Sequence, residues 1–297
     1  MKIYTKMTDT ETMLDKNKVR RSFDRSAANY DKVAVLQREV AHRMLERLDF
    51  IRMQPEVILD AGAGTGFVGK GLSRHYRKAD IIELDISINM LRQIRGKTPW
   101  YRRPFNKKLL ICADVEQLPV AGRSVDMLFS SLAIQWCNNL LQTFIEFRHV
   151  LRPGGLLMFT TFGPDTLKEL RESWAGVDTY GHVSRFLDMH DIGDFLLQAG
   201  FAEPVMDVEH FTLTYPDVSG LMNDLRELGA TNALEQRPRG LTGPASYRQM
   251  LQSYEGKRID GLIPATYEVI YGHAWVPDFQ APEVGLNELM SSEQGPA

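Results

Sequence analysis

From Val57 onward, short apolar runs alternate with amphipathic stretches. Five runs of strand length occur in order: EVILDAG, ADIIELD, KLLICAD, VDMLFSS and GLLMFTTF. Segments between them, such as VGKGLSRHY and INMLRQIRG, space their apolar residues as one face of a helix does. Strands that alternate with helices of this length predict βαβ units and a parallel, doubly wound sheet.

After Phe162 the pattern changes. Helical spacing is found in PDTLKELRESW, MHDIGDFLLQAGF and VSGLMNDLRELGA, and strand-like patterns in EHFTLTYP and PATYEVIYGHAW. We therefore expect an α/β fold with a seven-stranded sheet and a helical lid inserted after strand five, over about residues 163–260. The predicted organisation is an N-terminal helical segment (1–50), one main domain (51–279) and a disordered tail without periodicity (280–297).

Composition and charge narrow the class of protein. With 297 residues, 43% apolar and 25% charged, the chain fits a soluble globular protein with its own core. The formal charge of −3 gives no overall field that attracts nucleic acid or an anionic membrane. No run approaches the roughly 18 apolar residues of a membrane span, and the charged N-terminus lacks a signal-peptide core. We expect a cytoplasmic protein.

A glycine-rich turn follows the first predicted strand, in ILDAGAGTGFVGKGL. Asp60 stands at the strand end, and three glycines (Gly62, Gly64 and Gly66) precede the next helix. Glycine lets the backbone approach a ligand closely and adopt positive φ. A dinucleotide fingerprint would need a third glycine where Phe67 stands. The G-x-G-x-G spacing instead resembles that of S-adenosylmethionine (SAM) methyltransferases, whose ligand has no pyrophosphate.

Two more carboxyl groups follow strands at equivalent positions. Asp85 lies about 25 residues after Asp60, near the roughly 20-residue offset of a carboxylate that binds ribose hydroxyls. Capping of the next helix is the alternative, and Ser87 could also fill that role. Asp114 could accept from an adenine amino group, with the backbone of Val115 beside it. Three acidic strand ends in register favour a nucleoside site over scattered surface acids.

The region from Val57 to Phe162 resembles class I SAM-dependent methyltransferases, which have a Rossmann-like fold. Besides the glycine turn and the acidic strand ends, SSLAIQWC follows strand four and LRPGG introduces strand five. The resemblance implies SAM as cofactor and places SSLAIQWC beneath its methyl group. The implied cofactor residues are Asp60, Gly62, Gly64, Gly66, Asp85, Asp114, Val115 and Ser130.

Over about Val19 to Trp275, the chain more closely resembles the malonyl-acyl-carrier-protein O-methyltransferases of biotin synthesis. The motifs that carry this resemblance are FDRSAANYD, SSLAIQWC, FTTFGPDTLKELR, HVSRFLDMHDIGD, LMNDLRELGATN and PATYEVIYGHAW. It implies transfer of a methyl group to the free carboxylate of a malonyl thioester on acyl carrier protein, or on coenzyme A.

Two alternatives stay open. One is a methyltransferase for another small acidic or quinone-like substrate, because a fold does not fix a substrate. The other is a SAM-binding assembly factor that methylates nothing or hydroxylates a protein arginine, since the mitochondrial complex I assembly factors share the SAM loop and lid motifs. FGPDTLKELR and YGHAW favour the methyltransferase.

The proposed chemistry needs few catalytic groups. Methyl transfer requires the nucleophile in line at roughly 3 Å from the methyl carbon. A carboxyl group with a pKa near 4 is already ionised at pH 7, so no general base is needed. The sequence agrees, because it shows no evident Ser-His-Asp or Cys-His constellation. The site must instead anchor an anion, and the arginine fork binds carboxylates directionally while it stays charged.

The stretch GHVSRFLDMHDIGDFL supplies candidates for that anchor. We interpret HVSRF as a lid loop in which Arg185 binds the substrate carboxylate; a surface ion pair with Asp188 or Asp191 is the alternative. His182 could donate a hydrogen bond to substrate or brace the loop. MHDIGDFL is interpreted as a capped helix packing the lid. The spacing of His182 and His190 matches no metal motif, so we expect no metal.

Other candidates come from the remaining motifs. Tyr30 lies in the N-terminal segment that is expected to close over the donor, where it could touch SAM or substrate or simply pack. Gln135 and Trp136 could shape the substrate floor, with core packing as the alternative for Trp136. Tyr267 could face the cleft or the core.

The implied carrier protein is acidic, so we expect an electropositive rim. The candidate cations lie in the inserted region: Arg226, Arg237, Arg239, Arg248, Lys257 and Arg258. The sequence carries no signal for an oligomeric state.

Overall fold

A computed structural model describes residues 13–97, 108–235, 237 and 243–278. The predicted tail and Arg239 lie outside these residues. The described strands are β1 (Val57–Ala61), β2 (Asp80–Asp85), β3 (Lys108–Cys112), β4 (Val125–Ser131), β5 (Leu151–Phe162), β6 (Ala202–Tyr215) and β7 (Ile263–Trp275). The α-helices are α1 (Lys16–Ser26), α2 (Tyr30–Val33), α3 (Val35–Glu46), α4 (Phe67–His75), α5 (Ile88–Lys97), α6 (Leu140–Val150), α7 (Lys168–Ala175), α8 (Met189–Gln198), α9 (Val218–Glu227) and α10 (Pro244–Glu255).

The strands form one seven-stranded sheet in the order β3-β2-β1-β4-β5-β7-β6. Strands β1 to β5 pair in parallel, while β7 runs antiparallel to both β5 and β6. The predicted α/β fold and strand count are therefore confirmed. Strand β6 begins at Ala202, well before the alternating EHFTLTYP stretch, because it pairs with β7 along nearly its whole length. These backbone hydrogen bonds extend the strand beyond its own sequence pattern.

Helices cover both faces of the sheet, as the alternation of side chains along each strand requires. In β4, Met127 and Phe129 pack with α3 and α4 on one face. Leu128 points to the other face, toward Phe144 and Phe147 of α6. No helix in the described ranges combines the length and the apolar character needed to cross a bilayer.

The region predicted as a lid divides into two parts. Helix α8 packs through Ile192 and Leu196 against the same core cluster as α6, so it covers the sheet. The expectation that MHDIGDFL packs a lid is therefore wrong, because the buried side of α8 contacts α6 and β6. Helices α7, α9 and α10 instead form a separate group, in which α10 contacts both α7 and α9, α7 lies on β7 and α9 on β6; Leu170, Leu221 and Met250 belong to their shared core cluster. Their role as a lid stays a prediction.

Candidate active site

A cleft opens at the carboxyl ends of β1 to β4, where ligands bind in doubly wound sheets. Helices α1 and α2 form its outer wall. The lining residues are Lys16, Val19, Phe23, Tyr30, Gly62, Gly64, Asp85, Ile86, Met90, Asp114, Val115, Ser131, Leu132, Ala133 and Trp136.

The glycine turn has the geometry that its sequence suggested. Gly62, Gly64 and Gly66 all have positive φ, at 86°, 54° and 82°. A β-carbon on Gly62 would lie 2.2 Å from Cβ of Ala133, so no larger residue fits there. Gly64 faces open space: apart from its chain neighbours, no atom of the described residues lies within 4 Å of where its β-carbon would stand. The turn thus presents bare backbone to the cleft.

Asp85 connects the glycine turn to the start of α5. Its Oδ2 accepts from the backbone N–H of Gly64 at 2.8 Å, and its Oδ1 accepts from that of Ser87 at 2.8 Å. The hydroxyl of Ser87 accepts from the N–H of Met90, so Ser87 caps the helix itself. Burial raises the pKa of Asp85 to about 6. Each carboxylate oxygen accepts one of these bonds and can accept another from a ligand.

Asp114 lies one strand farther along the same edge. Its Oδ1 accepts from Nζ of Lys16 at 3.0 Å and from the N–H of Glu116 at 3.1 Å. Lys16 also pairs with Glu116, so α1 is tied to this strand end. Val115 contributes to the wall beside Asp114. Oδ2 of Asp114 accepts no bond from a described residue, which leaves it available to a ligand.

Three of the predicted cofactor residues lie behind the cleft wall. Asp60 pairs in register with Glu83, and neither of its oxygens has a hydrogen-bond partner among the described residues. Complete burial raises the pKa of Asp60 well above its usual value, with the Glu83 charge as the next cause. Gly66 packs near Glu83 and Ile94. Ser130 is fully buried and donates to the carbonyl of Ala61 at 2.8 Å.

The N-terminal segment is bonded directly to the cleft. Asp24 of α1 accepts from the hydroxyl of Ser87 at 2.7 Å. Asp31 of α2 accepts from the hydroxyl of Thr65 in the glycine turn and pairs with Lys97 of α5 at 2.6 Å. Asp24, Asp31 and Lys16 were not singled out from the sequence. The two acids of FDRSAANYD could have indicated these contacts. An acid in a segment that covers the start of another helix can accept from the free N–H groups of that helix.

Tyr30 and Trp136 both contribute to the cleft wall. Burial raises the pKa of the Tyr30 phenol, and the nearby Asp85 and Asp31 charges add to the effect. Trp136 meets Phe23 of α1 edge to face, with ring centroids 5.3 Å apart. An aromatic pair therefore forms part of the cleft wall beside α1.

The structure places the other substrate candidates away from the wall. Gln135 turns back on its own loop, where its Nε2 donates to the carbonyl of Leu132 at 2.7 Å. Tyr267 is buried in the core beneath α7, α9 and α10, with its ring 5.8 Å from that of Phe162. Of the two possibilities for Tyr267, the structure shows core packing.

Arg185 and His182 lie in the loop between α7 and α8. The Arg185 side chain is exposed and forms no ion pair within the described part of the chain, so neither Asp188 nor Asp191 neutralises it. Asp188 caps α8 instead. His182 stacks on Trp174 with ring centroids 3.7 Å apart, and its Nε2 lies 2.8 Å from a carboxylate oxygen of Asp178. His182 thus braces the loop. Neither Arg185 nor His182 lines the cleft.

One group of possible metal ligands lies outside the cleft. Asp165, His210 and Glu268 offer atoms that lie within 4.8 Å of one another. Asp165 already pairs with Lys168 at 2.9 Å, and Glu268 accepts from the N–H of Asp165 at 2.7 Å. Both carboxylates are therefore engaged without an ion.

Comparisons with known proteins agree with this geometry. Residues 59–159 match the model of a methyltransferase domain. A malonyl-[acyl-carrier protein] O-methyltransferase of Gallionella capsiferriformans is 54% identical over 276 residues, covering 92% of this chain and 94% of the relative. One from Methylovorus is 53% identical, covering 91% and 92%. The YcgJ protein of Bacillus subtilis has a similar fold, with a TM-score of 0.57 and 13% identity over 80% of this chain and 100% of that one.

The sheet order, the glycine turn and the acidic strand ends, together with the matching domain model, define a class I methyltransferase. Its N-terminal segment and the region after β5 are shared with the curated relatives, since the similarity covers nine tenths of both chains. The chain belongs to the family of malonyl-[acyl-carrier protein] O-methyltransferases.

Proposed function

We propose that the chain transfers the methyl group of SAM to the free carboxylate of a malonyl thioester on acyl carrier protein. The observation that carries this proposal is 54% identity over 92% of the chain to a relative of that name. Similarity of this extent spans the cleft, the N-terminal wall and the helices over β7.

The residues of the cleft fit SAM. Asp85 and Asp114 present carboxylate oxygens to one edge of the sheet, suited to ribose hydroxyls and to an adenine amino group. Ile86, Met90 and Val115 supply apolar surface for a purine ring. When bound, SAM supplies a methyl group activated by its sulfonium.

The cleft wall also fits an acceptor that needs no activation. Among the described lining residues there is neither a histidine nor a cysteine that could serve as a base. Lys16 is a cation in the wall, but Asp114 and Glu116 neutralise it. An already ionised carboxylate requires only positioning and exclusion of water. Trp136 and Phe23 provide an apolar boundary for that purpose.

We further propose that Arg185 anchors the substrate carboxylate. It is an unneutralised cation on the loop that follows α7, beyond the carboxyl end of β5. Because it lies outside the cleft wall, this role requires the loop to turn toward the cleft when substrate binds. The stacked pair of His182 and Trp174 would hold the base of that loop.

Incubation of the purified chain with methyl-labelled SAM and malonyl-acyl carrier protein tests the function. We expect a labelled ester that mild base hydrolyses, and less product from succinyl and glutaryl carriers. Malonyl-coenzyme A in parallel measures the preference for the carrier. If calorimetry shows SAM binding while no ester forms from any malonyl thioester, the proposed function is wrong.

A further inference from the structure

Helix α1 has two faces of opposite character. Val19 and Phe23 line the cleft, whereas Arg20, Arg21 and Arg25 are exposed on the outer side. The helix carries five cations and a single acid, Asp24, in eleven residues. In a chain with a formal charge of −3, this is a strong local concentration of positive charge.

Arg20, Arg21 and Arg25 form no ion pair among the described residues, whereas Lys16 at the start of α1 pairs with Asp114 and Glu116. Arg25 donates to the backbone carbonyl of Arg21 at 3.2 Å, and Arg20 to the side-chain oxygen of Asn17 at 3.4 Å. Burial is the main cause that lowers the pKa of Lys18; the charges of Arg237, Arg25 and Arg21 add to this effect, and the charge of Asp15 opposes it. Uncompensated like charges raise the energy of a folded chain, so the cluster is costly unless an anionic partner offsets it.

Three of the cations expected to form the electropositive rim differ in this respect. Lys257 pairs with Glu172, and Arg258 pairs with Glu255 at 2.6 Å. Arg237 lies 3.6 Å from Asp15, next to the start of α1. Neutralised cations contribute little to an encounter with an acidic protein. Arg226 of α9 and Arg248 of α10 also form no ion pair among the described residues, but each is the one cation of its helix. Helix α1 carries three such arginines, so within the described part of the chain the unpaired positive charge is densest there.

We propose that the exposed face of α1, formed by Arg20, Arg21 and Arg25 with the half-buried Lys18 beside them, is the docking surface for the acidic acyl carrier protein. We call it the α1 basic face. This inference rests on the proposed function, because that function supplies an acidic partner. Charge complementarity is the argument for the occupant.

The position of the α1 basic face suits a tethered substrate. The opposite side of the same helix lines the cleft through Val19 and Phe23. A helix with its side chains is about 10–12 Å across, so a partner on the outer face lies one helix diameter from the cleft. The thioester arm would then enter beside Phe23 and Trp136, whose rings form an apolar boundary.

The test is the double variant Arg21→Glu/Arg25→Glu. Its matched control is Lys70→Glu/Arg74→Glu, which changes the same charge at the same spacing on the exposed side of α4. Each protein is assayed with malonyl-acyl carrier protein and with malonyl-pantetheine, a small thioester without the carrier. Binding of holo-acyl carrier protein is measured separately by fluorescence anisotropy at several salt concentrations.

We expect the α1 variant to raise KM for malonyl-acyl carrier protein about tenfold, equivalent to about 1.4 kcal/mol. Turnover of malonyl-pantetheine should stay within about twofold of the unsubstituted protein, and the control should match the unsubstituted protein with both substrates. Holo-carrier binding should weaken with salt, and less steeply in the α1 variant.

Three outcomes would overturn the docking surface. These are equal losses with both substrates, unchanged kinetics with the carrier, or an equal effect of the α4 control. Failure of the proposed function is distinguishable, because the unsubstituted protein would then methylate neither thioester. In that case the anisotropy measurement of holo-carrier binding tests the docking surface by itself. Equal binding by the α1 variant and the α4 control would then refute the docking surface.

Discussion

Asp85 gives the sharpest test of the cofactor site. In the protein alone, its carboxylate accepts two backbone hydrogen bonds, from Gly64 and Ser87, each at 2.8 Å. If it also accepts from the ribose of SAM, Asp85→Ala removes those acceptors and loosens the glycine turn. A hydrogen bond to a charged group contributes about 1.5–3 kcal/mol. Loss of two such bonds, partly replaced by water, should cost about 3 kcal/mol, or about 150-fold in the Kd for SAM.

Isothermal titration calorimetry with SAM measures this effect, and Asp126→Ala is a matched control. Asp126 also accepts two backbone N–H bonds, from Glu56 and Val57 at 2.9 and 2.8 Å, but at the opposite edge of the sheet. We expect the control to lose stability while keeping its SAM affinity. Unchanged SAM affinity in a folded Asp85→Ala protein would refute the ribose role.

The same carboxylate predicts how SAM affinity depends on pH. The pKa of Asp85 is raised to about 6 by burial, and the ionised form is the better acceptor for ribose hydroxyls. Affinity should therefore be complete above pH 6 and fall as pH drops through it. Between pH 7 and pH 5 the Kd should rise about tenfold, and this dependence should vanish in Asp85→Ala. A Kd that is equally independent of pH in both proteins would contradict the assignment.

Three further predictions concern the substrate anchor, the N-terminal wall and the glycine turn. Arg185→Ala should leave SAM affinity nearly intact and reduce labelled ester formation by orders of magnitude; near-normal turnover would show that Arg185 is only a surface residue. Asp31→Ala removes the acceptor that ties α2 to the glycine turn and α5, so amide exchange in α2 should accelerate and SAM should bind more weakly. Unchanged exchange would argue against that tie. Gly62→Ala should abolish SAM binding or folding, because its β-carbon would lie 2.2 Å from Ala133 at a φ of 86°; normal calorimetric binding would count against this packing.

The periodicity of the chain was sufficient to predict the sheet. Apolar runs of strand length and helices between them specify βαβ units, because each element must bury one face. The positive φ of the glycine turn was also predictable from G-x-G-x-G placed directly after a strand, whereas the close approach of Gly62 to Ala133 was seen only in the structure. Asp85 and Asp114 line the cleft because carboxyl ends of parallel strands meet at one edge.

The local sequence did not show how far each candidate side chain lies from the carboxyl end of its strand. Asp60 and Asp85 look equivalent in sequence, yet Asp60 pairs with Glu83 and so lies two residues, or about 6.6 Å, deeper in the sheet. Ser130 and Ser131 are neighbours, but alternation turns Ser131 to the cleft and Ser130 toward Ala61. The register between neighbouring strands sets the depth of Asp60 and the face on which each serine lies. Register depends on contacts between residues that are distant in sequence.

The loops and the N-terminal segment depended most on tertiary structure. Arg185 lies outside the cleft wall and Tyr267 within the core, although the sequence allowed either residue to face the cleft. The bonds from Asp24 to α5 and from Asp31 to the glycine turn join residues that are far apart in the chain. The sequence by itself thus determined which elements form and at which edge of the sheet the cleft opens, because those follow from local periodicity. Only the packed structure decided which side chains reach that edge, because packing between distant segments fixes their direction.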